Sequence, residues 1–102
     1  MSTLHTINKS PYERNSLKSC LDHVSPGDRI LLIEDGVLAA RKGGAFAKVL
    51  QDAKGSCAIY ALGPDLAARG VAKTDLVEGI ETVDYGGFVD LASEAARVCA
   101  WL

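Results

Sequence analysis

The stretch Arg29-Ile30-Leu31-Leu32-Ile33 constrains this chain most. It lies between two turn signals, Pro26-Gly27-Asp28 and Asp35-Gly36. A strand with one wet face alternates apolar and polar residues. A short unbroken apolar run suits a strand buried on both faces, which is the situation inside a parallel sheet. Parallel neighbours need long crossover connections, usually helices, so this one segment already favours an α/β architecture.

The rest of the sequence supplies the other elements. Thr3 to Ile7 reads as a first strand. Ser10-Pro11-Tyr12-Glu13 has the form of a capping box with proline at the first helical position, and Leu17, Leu21 and Val24 continue one helical face. Val37 to Ala40 reads as a short helix broken at Gly43-Gly44. Phe46, Val49, Leu50 and Ala53 mark the next helical stripe. Ser56 to Leu62 is a third strand, followed by a short helix from Gly63-Pro64-Asp65 that Gly70 closes. Ile80 to Asp84 is a fourth strand, and Phe88, Leu91, Ala92 and Ala95 belong to a last helix. Cys99-Ala100-Trp101-Leu102 reads as an apolar tail. The expectation is a single α/β domain over residues 1–102, with a mainly parallel sheet of four to five strands between helical layers. Two sheet edges stay open, and the thin, alanine-rich helical layers make association with other chains a natural remedy.

Composition narrows the function classes. The net charge of −2 offers no basic face for nucleic acid or an anionic membrane. No apolar run is long enough to span a bilayer, and the opening residues lack the pattern of a signal peptide. The three cysteines, Cys20, Cys57 and Cys99, are odd in number and far apart in sequence. They suit reduced thiols in the cytoplasm rather than a disulfide framework. There is no Gly-rich phosphate-binding fingerprint and no close Cys or His pairing with metal-ligand spacing, so no cofactor and no metal is expected. A small anion could sit at a helix start near Ser10 or Asp65, although plain capping explains both residues.

The thiols differ in context. Cys57, inside the third strand, reads as a small buried hydrophobe, and Cys99, at the end of the last helix, reads as packing. Cys20 falls about 60° from Leu17 on a helical wheel, at the edge of the apolar stripe, where partial exposure is expected. Lys18 and His23 nearby favour a thiolate, while the late position in the helix opposes one. Cys20 is therefore the candidate reactive thiol, with an inert boundary cysteine as the alternative.

Leu4-His5-Thr6-Ile7-Asn8-Lys9-Ser10-Pro11 resembles the opening of the DsrH/TusB family. Gly27 to Val37 resembles its second block. Ile59-Tyr60-Ala61-Leu62, Asp65-Leu66 and Ala68-Arg69-Gly70 resemble its third, and Val83-Asp84-Tyr85, Phe88-Val89, Leu91 and Trp101 complete the pattern. The resemblance implies a three-layer α/β/α sandwich and a heterohexamer with DsrE-like and DsrF-like subunits, two copies of each. It implies a relay of persulfide sulfur between a TusA-like donor and a DsrC-like acceptor in dissimilatory sulfur oxidation. In the TusB branch the same architecture serves tRNA 2-thiouridine synthesis. The principal persulfide cysteine is expected on the DsrE-type subunit. Cys20 matches a cysteine of the DsrH branch and is the candidate secondary carrier. A purely structural subunit with no sulfur site of its own is the remaining alternative.

Overall fold

The computed structural model describes residues 2–102. Five strands, β1 (Thr3–Ile7), β2 (Arg29–Leu32), β3 (Ala58–Leu62), β4 (Glu81–Val83) and β5 (Arg97–Trp101), form one sheet in the order β4-β3-β2-β1-β5. Every pairing in it is parallel. The unbroken apolar run is the central strand β2, and Ile30, Leu31 and Leu32 are fully buried. The α-helices are α1 (Ser16–Leu21), α2 (Ala47–Ala53), α3 (Gly63–Ala68) and α4 (Tyr85–Glu94), and a 3-10 helix spans Glu34–Ala40.

The two faces of the sheet are unequal. One carries the main core, where Ile7, Ile30, Leu32, Ile59 and Ala61 meet Leu17 and Cys20 of α1, Leu50 of α2 and Leu66 of α3. The other carries a small cluster in which Leu91 of α4 packs with Leu4 and Leu31, flanked by Tyr60, Val83 and Phe88. α4 therefore crosses this second face alone on the way from edge strand β4 to edge strand β5. Its start is capped by Asp84, whose Oδ1 accepts the Gly87 N–H at 2.7 Å. Such a cap stabilises by about 1 kcal/mol.

The 3-10 helix after β2 presses onto the end of β1. A Cβ at Gly36 would overlap the Ile7 carbonyl oxygen and lie 2.9 Å from the Ile7 carbonyl carbon, so only glycine fits. Glu34 takes a left-handed conformation at φ 49° to begin this turn, and its N–H donates to Asp65 Oδ2 at 2.6 Å.

Three local expectations are corrected. The Ser10-Pro11 box closes a turn, in which the Ser10 carbonyl accepts from the N–H groups of Glu13 and Arg14, and the helix itself begins only at Ser16. The apolar tail is strand β5, and Cys99 lies in this strand rather than at a helix end. Cys57 precedes β3 by one residue. The strand follows α4 with almost no connection, which hides it in the sequence: the Ala95 N–H still bonds back to Leu91 while the Ala96 N–H already joins the Ser2 carbonyl.

Candidate functional site

The parallel register sets His5 opposite Cys99 on β5 and opposite Ile30 on β2, and Ile30 opposite Ile59. Side chains paired this way share one sheet face, here the face covered by α1. His5 is buried among them, and its ring is held from both sides. The Trp101 Nε1–H donates to His5 Nδ1 at 3.0 Å. That leaves Nδ1 as the acceptor and puts the proton on Nε2, which donates to Asp28 Oδ2 at 2.9 Å.

Asp28, also buried, accepts two backbone N–H groups as well: Thr3 to Oδ1 and Ser25 to Oδ2, each at 3.0 Å. Burial alone would raise its pKa. The His5 bond and the two backbone donors outweigh it and hold the carboxyl below its ordinary value. Asp28 thus ties the entry of β1 to the turn before β2, and His5 with Trp101 extends the tie to β5. This network escaped the sequence reading. Its only sequence signal was a histidine on the same strand face as Ile7.

Cys20 is fully buried, which corrects the expectation of partial exposure. The wheel offset of about 60° is real. However, α1 is only six residues long and lies with Leu17 and Cys20 both turned into the core, where Trp101 also packs. Burial raises the Cys20 thiol to about 12, and Cys57, Cys99 and Asp28 add repulsion to its thiolate. Three cysteines remote in sequence are thereby within electrostatic reach of one another. His23 gives no help, because its Nδ1–H is taken by the Ser19 carbonyl at 2.7 Å while its ring lies beside Trp101.

The remaining expected residues separate cleanly. Cys57 is buried, its thiol donates to the Ala53 carbonyl at 3.5 Å, and burial pushes its pKa up, with Asp28 adding to the shift. Cys99 is half-buried and is the most accessible of the three thiols. Ser10 Oγ accepts the Tyr12 N–H within its own turn, while Asp65 accepts the Glu34 N–H and so joins the start of α3 to the turn after β2 instead of capping its own helix. An apolar groove of about 260 Å³ lies against α1, lined by Leu17, Leu21, Phe46 and Val49 with Lys18 and Asp22 at its rim, and Cys20 is not among its walls. Among the described residues no cluster of three or more His, Cys, Asp or Glu side chains could hold a metal ion, and no helix is long and apolar enough to cross a membrane.

Comparison with known proteins agrees with this architecture. The family described as DsrH like protein matches residues 9–98. TusB of Enterobacter sp. (strain 638) is 38% identical over 98 residues, covering 96% of this chain and 99% of that protein. TusB of Pectobacterium parmentieri is 36% identical with the same coverage. Among solved structures, the YchN protein of E. coli superposes with a TM-score of 0.82 at 18% identity, over 98% of this chain and 99% of that one. The MTH1491 protein of Methanobacterium thermoautotrophicum gives a TM-score of 0.74 at 20% identity, over 96% of both chains. These two likenesses concern the fold. The family match and the end-to-end identity to the TusB proteins go further: this chain belongs to the DsrH/TusB family.

Proposed function

We propose that this chain is a TusB-type subunit of a sulfur-relay assembly serving tRNA 2-thiouridine synthesis, and that the principal sulfur-carrying thiol belongs to a partner subunit. The TusB relatives at 36–38% identity support the tRNA branch over dissimilatory sulfur oxidation. The observation that carries the second half is the state of Cys20. A persulfide carrier must attack as a thiolate, and a fully buried thiol raised to about 12 is neither accessible nor ionised at neutral pH.

In this reading Cys20 is a secondary carrier that works only where docking of a partner shifts α1. Its thiolate would then attack the outer sulfur of the partner's persulfide. The partner's S–S bond breaks, the partner leaves as a thiolate, and the new persulfide stands on Cys20. The expected partners are DsrE-like and DsrF-like subunits in a heterohexamer with two copies of each, a TusA-like donor and a DsrC-like acceptor.

Persulfide loading followed by intact mass tests the sulfur assignment. The isolated chain should gain nothing. In the assembly, any increment of about 32 Da per sulfur atom on this subunit should disappear with Cys20→Ser. An increment that survives the substitution would place the sulfur on another thiol. Deletion of the gene should remove 2-thiouridine from tRNA, read by nucleoside mass spectrometry. Unchanged 2-thiouridine together with lost sulfur oxidation would return the chain to the oxidative branch.

A further inference from the structure

The two helical layers present surfaces of opposite shape. On the α1 face the groove of about 260 Å³ is concave. Leu17 and Leu21, one turn apart on α1, form one wall, and Phe46 and Val49 at the start of α2 form the other. The Phe46 ring is fixed edge-on against Tyr12, with centroids 5.2 Å apart. Val49 is 43% exposed, so an apolar wall stands open to water. Lys18 lies at the rim with Asp22 one turn further on, and exposed Lys48 stands beside Val49. Lys18 has no ion partner among the described residues.

On the opposite face α4 is convex. Phe88, Leu91, Ala92 and Ala95 turn toward the sheet. Tyr85, Val89 and Ser93 follow one another at i, i+4 and i+8, a row that stands off this stripe. Tyr85 is 60% and Val89 66% exposed, and Ser93 is exposed. The helix carries Asp90 and Glu94 and no basic residue. Glu94 is engaged by Arg29, whereas Asp90, exposed beside Val89, has no ion partner among the described residues.

We propose that copies of this chain join head to tail, the Tyr85–Val89 ridge of one α4 seating in the α1–α2 groove of the next copy. A row of side chains four residues apart is the ridge that helices pack into grooves. The apolar pair meets the open apolar walls, and Asp90 comes toward Lys18 and Lys48, the charges that complement it. The same residues disfavour like-to-like contacts. Two grooves face to face enclose a void and bring Lys18 toward Lys18. Two antiparallel α4 ridges crossing at Val89 bring Asp90 beside Asp90. The contact is therefore heterologous, with a different face of each copy. It leaves a free groove at one end and a free ridge at the other, so it extends to further copies or closes into a ring. The inference stands apart from the sulfur-relay reading, since it uses only the shape and charge of two faces.

Sedimentation velocity on the full chain tests it with two variants at exposed positions, whose circular dichroism should match the wild type. Val89→Arg sets a cation on the ridge and leaves the groove intact. Val49→Asp sets an anion in the groove and leaves the ridge intact. The wild type should sediment as an assembly larger than a monomer, and each variant alone as a monomer. An equimolar mixture of the two variants should give dimers and nothing larger, because only one intact groove and one intact ridge remain between them. On the wild type itself, a zero-length carbodiimide should join Lys18 or Lys48 of one copy to Asp90 of another, read with isotope-labelled and unlabelled copies mixed. The same link should appear in the chain co-purified with partner subunits. A wild type that stays monomeric at high concentration would overturn the proposal. So would a single variant that still assembles, a mixture that stays monomeric, or a cross-link from Lys18 or Asp90 to a different chain in the assembly.

Discussion

At the residue scale, the chemistry of this chain depends on what burial does to a few polar side chains. Cys20 illustrates it, since the group that looked most reactive in sequence is the most protected in the fold. Timed alkylation at pH 8 should modify Cys99 first, and Cys20 and Cys57 only on the time scale of unfolding, as peptide mapping would record. Cys57→Ala should cost about 1 kcal/mol or somewhat more in urea unfolding, the usual effect of a small core truncation. Asp28→Ala should cost more, about 3–5 kcal/mol, because it strips a buried imidazole of its acceptor and leaves two backbone N–H groups without theirs. Trp101→Phe keeps a ring in place but removes the donor to His5, and should cost about 1 kcal/mol. The ranking of these variants tests the network more sharply than any one value.

At the scale of elements, the fold depends on close approaches as much as on apolar stripes. The 3-10 helix can meet β1 only because position 36 is glycine. Gly36→Ala should therefore destabilise the chain by at least 2 kcal/mol, on the order expected for overpacking against backbone that cannot yield. A thermal melt would show it as a lowered Tm with the same far-ultraviolet spectrum below the transition. The central strand was legible in sequence because both of its faces are buried, which leaves an unbroken apolar run. α1 and β5 were harder to read. A turn that resembles a cap hid the true start of α1. β5 borders water, so its composition resembles that of a loose tail, and only hydrogen bonds to β1 declare it a strand.

At the scale of the whole molecule, the lowered Asp28 carboxyl governs how stability depends on pH at the acid end, and the raised thiols, Cys20 foremost and Cys57 beside it, govern the alkaline end. The Asp28 carboxyl is lowered in the folded chain from its ordinary 3.8. Its contribution is complete above that value and is lost as pH falls through the lower folded value. The Cys20 thiol is raised from 9.0 to about 12. The unfolded chain therefore loses this proton first, and stability is complete below pH 9 and falls as pH rises toward 12. For one proton, the folding equilibrium weakens up to about tenfold per pH unit within that window. Urea midpoints measured across pH should fall at both ends, and Cys20→Ala should flatten most of the alkaline fall. An alkaline limb unchanged by that substitution would assign the proton elsewhere.

The sequence by itself determined the class of fold and the central strand, through an apolar run between turn signals that suits only a doubly covered strand. It also determined the family, through blocks that match in order from one end to the other. Those are properties of local pattern, and local pattern survives in a string of letters. The tertiary structure alone decided which thiol is shielded, which face of α1 turns inward, and that His5, Asp28 and Trp101 meet. Burial and pKa depend on neighbours from other strands, and Cys20 and Asp28 acquire theirs only when the strands β1, β2 and β5 come into register.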